Sequence, residues 1–334
     1  MRLAALLLAC LALCGCGGAL QSQQPAPTWT TGFWFWQGSE FQTPPSTPPI
    51  DALYFHAGEI NGGLSQYQPP PGVSAELPGD LPPAAEYWIV LRCSTQAVPD
   101  LQVAPVIAHR ISQLRAQMQQ QHRNVAGLQL DIDSPTRALP QYAALLHEIR
   151  KTLAPGIGIS ITALLDWFRE GTAIADVIKE TDEFVPQFYD LNDPRSDRSG
   201  IAAKIDSAKW GPVFARFGKR FRIGISTFGR ARDLPRASTP GGTGAVLYLS
   251  SYADLAPVDV ATNSAFTLNT SRNEAGELLL TYRATRKVSI GYNNFDPGSG
   301  IQFILPTADT VRSAVESAHR MKNCAGVVFF RCPP

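Results

Sequence analysis

GLQLDID, residues 127–133, decides how the chain folds. Leu128, Leu130 and Ile132 alternate with Gln129, Asp131 and Asp133. An extended backbone sends the first set to one face and the second to the other, with same-face neighbours roughly 6–7 Å apart. The stretch is bounded by Gly127 and by Pro135, so it reads as one short strand that ends on two carboxylates.

Seven further short runs share its apolar character: residues 32–37, 52–56, 87–93, 158–164, 183–189, 222–227 and 325–331. They are nearly continuous in Val, Ile, Leu and aromatics, the mark of parallel strands covered on both faces. Helical faces lie between several of them. Ile107, Ile111, Leu114 and Met118 form one stripe, as do Tyr142, Leu145, Leu146, Ile149 and Leu153, and Val311, Val315, Ala318 and Met321. Such spacing lays one apolar face against a sheet. Eight strands with intervening helices predict an α/β fold, a (β/α)8 TIM barrel over residues 32–334. A doubly wound open sheet is the competing architecture, but no Gly-rich phosphate loop follows the first strand. About residues 231–306 exceed what one βα unit needs. Their runs AVLYLSSY, GELLLTYRA, KVSIGYNNF and IQFIL, separated by turn residues, predict an antiparallel insertion after strand seven. Residues 69–83 read as a Pro-rich loop.

The composition is that of a globular chain. The 334 residues are 44% hydrophobic and only 17% charged, with 27 Gly and 27 Pro. Lys and Arg number 29 against 28 Asp and Glu, a net charge of +1. Nucleic acid, which needs a basic face to neutralise phosphates, is therefore not an expected partner. No CxxC or HxxxH pair suggests zinc, and no cofactor is expected.

Residues 1–15, MRLAALLLACLALCG, place one Arg before an apolar run too short to span a bilayer. This reads as a signal peptide. Its end, Leu13-Cys14-Gly15-Cys16, resembles a bacterial lipobox, which implies lipidation at Cys16; a plain secretory signal cut near Ala19 is the alternative. Residues 16–31 read as a flexible tether. The expected location is the bacterial cell envelope, with the membrane engaged through the lipid. Cys93, Cys324 and Cys332 remain in the domain and form at most one disulfide.

In a barrel the site lies where strands end. The strand ends carry Trp34 and Trp36, then His56 with Glu59, then Arg92, Asp131 with Asp133, Asp166 with Trp167, Gln187 with Tyr189 and Asp190, and finally Arg331. Aromatic platforms beside carboxylates, amides and guanidinium groups suit a sugar: ring faces stack on Trp and hydroxyls bond to the polar groups. Asp131 and Asp133 repel each other on one face, so one should keep its proton to higher pH than a free Asp. That supplies an acid with a basic partner. The basic run Arg216, Lys219, Arg220 and Arg222 reads as a solvated face on the opposite rim.

GLQLDID, SITALLDWF and EFVPQFYD together resemble an uncharacterised bacterial family, domain of unknown function 3142. The resemblance implies exported proteins with a glycoside-hydrolase-like barrel. A more distant likeness is to family 18 glycoside hydrolases, the chitinase group. Their DxDxE strand matches Asp131-Ile132-Asp133-Ser134-Pro135, their Tyr-Asp pair matches Tyr189-Asp190, and their GxPxYGR-like run matches Gly224–Arg230 in outline. Pro135 stands where that family has its acidic Glu, so chitinase-type, substrate-assisted cleavage does not carry over.

The first functional expectation is hydrolysis of a glycosidic bond, with Asp133 as acid, Asp131 as its partner, and Asp190 or Glu59 as a further carboxylate from across the barrel. The alternative is a non-catalytic glycan-binding lipoprotein whose acid has been lost. A metal-dependent esterase built on Asp131, Asp133 and His56 is a third.

Overall fold

The structure is a computed structural model that describes residues 28–36, 50–61, 72–93, 98–188, 205–227, 229–234, 246–248, 260–291 and 293–330. The barrel half of the chain runs through β1 (Thr30–Phe35), β2 (Ile50–Asn61), β3 (Gly72–Ala75), β4 (Ala84–Cys93), α1 (Val103–Gln120), β5 (Val125–Ile132), α2 (Leu139–Thr152), β6 (Gly158–Ala163), α3 (Ile174–Lys179), β7 (Glu183–Pro186), α4 (Ser207–Ala215) and β8 (Arg220–Ser226). An inserted segment follows: β9 (Arg230–Leu234), β10 (Val246–Tyr248), β11 (Phe266–Arg272), β12 (Leu278–Ala284), β13 (Val288–Ile290), β14 (Asn293–Phe295) and β15 (Gly300–Leu305). Then α5 (Ala308–His319) leads into β16 (Cys324–Phe330).

Eight parallel strands pair in the order β1-β2-β4-β5-β6-β7-β8-β16, and β16 pairs back to β1. This closes the (β/α)8 barrel predicted from the apolar runs. The insertion after the seventh barrel strand is antiparallel, with order β10-β9-β15-β12-β11 and a separate β13–β14 hairpin. It has its own core of Ala231, Val260, Tyr282, Ala284, Phe295, Ile301 and Phe303.

The two faces of each barrel strand have separate work. Leu128, Leu130 and Ile132 turn outward into one large core with the predicted stripes of α1 and α2, whose Ile107, Ile111, Leu114, Met118, Tyr142, Leu145, Leu146 and Ile149 are all inaccessible. The inner face holds a smaller cluster that includes Trp34, Tyr54, Trp88, Val90, Val185 and Val328. Gly127 is required by this packing. A Cβ there would stand 2.4 Å from the Gly158 carbonyl oxygen and 2.5 Å from the Trp88 ring.

Two readings change. The Pro-rich stretch after β2 is not all loop, because residues 72–75 form β3, antiparallel to the end of β2. A register shift between His56 and Gly58 lets β2 run on to Asn61 for that pairing. Arg222 is not on a solvated face: it points into the barrel with no exposure. Its Nη1 donates to Glu183 Oε2 at 2.6 Å, its Nη2 to Glu86 Oε1 at 2.7 Å, and its Nε to Thr30 Oγ1 at 2.9 Å. Tyr54 also bonds to it and donates to Glu183 at 2.6 Å. These groups plug the N-terminal end of the barrel and leave the C-terminal end for a site.

Candidate active site

Strand register assembles the C-terminal rim. Glu59 pairs in register with Arg92, and Arg92 with Asp131. Three ionisable side chains therefore stand in one row across β2, β4 and β5. Asp133 is the first residue beyond Asp131 on the same face, just past the end of β5. The backbone then turns tightly: Ser134 N donates to Ile132 O at 2.7 Å. Trp167 Nε1 donates to Ser134 O at 2.9 Å, and Thr136 Oγ1 donates to Asp166 Oδ2 at 3.0 Å. The loop carrying Asp133 is thus tied to the segment after β6.

The two carboxylates have different surroundings. Asp131 Oδ1 accepts from Thr162 Oγ1 at 2.7 Å, and its Oδ2 lies 3.8 Å from Arg92 Nε. Burial raises the pKa of Asp131; the Thr162 hydrogen bond and Arg92 oppose the rise, and Glu59 adds to it. Asp133 opens onto the mouth, but the protein around it thins its hydration. That loss, followed by the charge of Asp131, pushes its carboxyl up to about 6, against the pull of Arg92. The alternation in GLQLDID predicts the second of these causes, the neighbouring carboxylate, and not the first, the loss of hydration.

Aromatic and cationic groups flank the pair. Trp36 is half-buried, with His56 edge-on at 4.2 Å, Phe330 edge-on at 5.9 Å and the Arg92 guanidinium 6.0 Å from its ring centre. His56 Nε2 is 3.2 Å from Glu59 Oε1. Burial, then Arg92, lowers the imidazole to about 4, so it is neutral at neutral pH. Arg92 is 47% exposed and its fork is open to the mouth. Gln187 lies just past β7, where its backbone bridges Gly224.

Two expected sugar contacts are corrected. Trp34 is 3% exposed, inside the barrel between Tyr54 and Phe330, and its Nε1 donates to Gln129 Oε1 at 2.6 Å. Trp167 has no exposure and packs edge-on against Tyr142. Neither offers a ring face to a ligand. Asp166 is engaged with Thr136 and acts on the loop. Asp131, Asp133 and His56 do not form a ligand set: among the described residues no three His, Cys, Asp or Glu side chains converge on a metal site. Tyr189, Asp190, Arg331 and Cys16 lie outside the described residues, as does Cys332. Cys93 ends β4 and Cys324 begins β16, so the two thiols sit at opposite ends of parallel strands and cannot bridge each other.

Sequence reading missed Thr162. Its signal was present: Ser160 and Thr162 alternate with Ile159, Ile161 and Ala163, the same period-two pattern that marked Gln129 and Asp131. The barrel places both sets on the inner wall. Gln129 Nε2 donates to Ser160 Oγ at 3.0 Å below the Thr162–Asp131 bond.

A closed parallel barrel with carboxylates on its C-terminal rim carries its candidate site where TIM barrels carry theirs. Residues 87–238 match the model of a family described as Domain of unknown function (DUF3142). Solved structures agree on the fold. The spore cortex-lytic enzyme SleL of Bacillus cereus is similar over 92% of this chain and 71% of its own, with a TM-score of 0.54 and 11% identity. A family 18 N-acetylglucosaminidase of Paenibacillus barengoltzii covers 92% of this chain and 96% of its own, at 0.53 and 15%. A class V chitinase of Nicotiana tobaccum, solved with NAG4, covers 91% and 94%, at 0.53 and 13%. At these identities the likeness is one of fold. Comparison with curated proteins finds no match.

Proposed function

We propose that the protein is an exported glycoside hydrolase that cleaves a polysaccharide or oligosaccharide, with Asp133 as the proton donor and Asp131 as its carboxylate partner. The observation that carries this reading is the pair of carboxylates at the C-terminal end of β5, one held by Thr162 and Arg92 and the other, Asp133, pushed up to about 6 by lost hydration and by its neighbour. A group titrating there is protonated often enough to donate and acidic enough to do so usefully. In the reaction the Asp133 proton passes to the glycosidic oxygen as the bond from that oxygen to the anomeric carbon breaks. The departing sugar leaves as an alcohol. Positive charge gathered on the anomeric carbon is stabilised by Asp131 and Glu59, and water or a carboxylate completes the substitution. Trp36 supplies an apolar face, while Arg92 and Gln187 offer hydrogen bonds. Binding of NAG4 by the tobacco chitinase supports a carbohydrate as the ligand class.

The lipobox-like run ending at Cys16 supports a lipid anchor in the bacterial envelope. Replacing Cys16 with Ser should release the protein from the membrane fraction and abolish incorporation of labelled fatty acid. Unchanged partition would remove the anchor from the proposal.

One observation favours a second reading, a glycan-binding protein without catalysis. Pro135 stands where the chitinase group has its acid. Incubation with a panel of bacterial and plant polysaccharides, read by mass spectrometry, separates the two. Oligosaccharides released by the wild type and not by Asp133→Asn establish the hydrolase. Retained binding to one glycan with no product from the wild type establishes the binding protein instead.

A further inference from the structure

Asp131 and Asp133 are neighbours on one strand face, yet among the described residues only one of them is provided with a donor. Thr162 Oγ1 reaches Asp131 Oδ1 at 2.7 Å and has a weaker option in the Leu130 carbonyl at 3.5 Å. A hydroxyl has a single proton to give, and the shorter contact with a charge acceptor takes it. Among the described residues no hydrogen-bond donor reaches the Asp133 carboxyl. Thr162 itself is buried, on a barrel strand packed on both sides, so the hydroxyl cannot swing into water and the arrangement is fixed by the fold.

We propose that Thr162 is the positioning residue that selects which carboxyl of the pair carries the proton: by donating to Asp131 it keeps that group as the charged member and leaves Asp133 as the proton-bearing one. A hydrogen bond to the charged form favours that form, and two close carboxyls share their titration. Support for charge at one site therefore becomes proton retention at the other. The remaining groups facing the pair do not make this choice. Arg92 on β4 lowers both carboxyls. Glu59 on β2 opposes charge on Asp131, and His56 beside it is neutral above about 4. Tyr142 on α2 is held protonated well above the usual phenol range by burial, with the charges of Asp131 and Asp133 adding to it. Among the described residues, Thr162 alone acts on one member of the pair by a hydrogen bond. The catalytic meaning of this choice rests on the hydrolase reading; the choice itself does not.

The test is a titration of the protein carrying carbon-13-labelled aspartate, followed by NMR, for the wild type, Thr162→Val, Thr162→Ala and Thr162→Ser. In the wild type Asp131 should ionise before Asp133. Losing the hydroxyl in the Val or Ala form should raise the Asp131 midpoint and lower that of Asp133, each by on the order of one pH unit, and the Ser form should restore both. Opposite movements of two adjacent groups are not produced by a general loosening of the barrel. An unchanged gap, or both midpoints moving the same way in the Val and Ala forms, overturns the proposal. If the protein cleaves glycans, the alkaline limb of its pH-rate profile should move to lower pH in Thr162→Val and return in Thr162→Ser. If it cleaves none, the hydrolase reading fails while the titration still decides the role of Thr162.

Discussion

Glu183 Oε2 and Arg222 Nη1 meet at 2.6 Å inside the barrel, both side chains almost wholly removed from water. Burial works against the charge on Arg222, and Tyr54, Glu183 and Glu86 together outweigh it, raising its pKa. The pair closes the end of the barrel opposite the site. Removing one member of a buried pair costs about 3–5 kcal/mol when the other is left uncompensated; Glu86 still pairs with Arg222 here, which brings the expected cost to the lower end of that range. Glu183→Gln should therefore lose about that much unfolding free energy in urea. A loss below about 1 kcal/mol, the range of exposed pairs, would show that the pair is solvated in solution.

Trp167 gives a second prediction, because its indole ties the loop of Asp133 to the segment after β6. Trp167→Phe keeps most of the ring packing against Tyr142 but leaves the buried Ser134 carbonyl without the donor it has at 2.9 Å. An unsatisfied buried acceptor costs about 1–3 kcal/mol. Thermal unfolding should show a loss in that range. Stability equal to the wild type would mean that water replaces the indole at Ser134 and that the loop is not held as described.

The parallel barrel was legible because strands buried on both faces are written as unbroken apolar runs, and the helices between them carry regular stripes. The carboxylate pair was legible for a related reason: inside GLQLDID the alternation is local, and two residues of spacing decide the face. The ionic plug was not. Arg222 stands among Arg216, Lys219 and Arg220 in sequence, and its partners Glu183, Glu86 and Tyr54 are 39, 136 and 168 positions away. Only closure of the sheet brings them together. Trp34 and Trp167 failed as platforms because nearness to a strand end says nothing about depth. Trp34 fills the barrel interior, and Trp167 folds back beneath the loop it supports.

Trp36 is the tryptophan of the rim that keeps part of its ring at the surface. Trp36→Ala should weaken binding of the glycan identified in the polysaccharide panel by on the order of tenfold, equivalent to about 1.4 kcal/mol, as isothermal titration would read it. Trp34→Phe, inside the barrel, should affect unfolding more than affinity. Equal losses of affinity from both changes would argue against Trp36 as a stacking surface.

Asp133 links the site to stability through pH. A free Asp titrates near 3.9, whereas burial and Asp131 hold this one at about 6. Between those values the folded chain keeps a proton that the unfolded chain has released. The contribution to stability is therefore complete below about 3.9 and is lost as pH rises through about 6. Asp133→Asn cannot ionise and escapes that loss. Its melting temperature relative to the wild type should climb as pH is raised from about 4 to about 7 and then level off. Asp131, freed of a charged neighbour in the variant, pushes the difference in the same direction. Parallel melting profiles across that window would mean that Asp133 titrates as an ordinary solvated carboxyl, and the proton donor of the proposed reaction would have to be sought elsewhere on the rim.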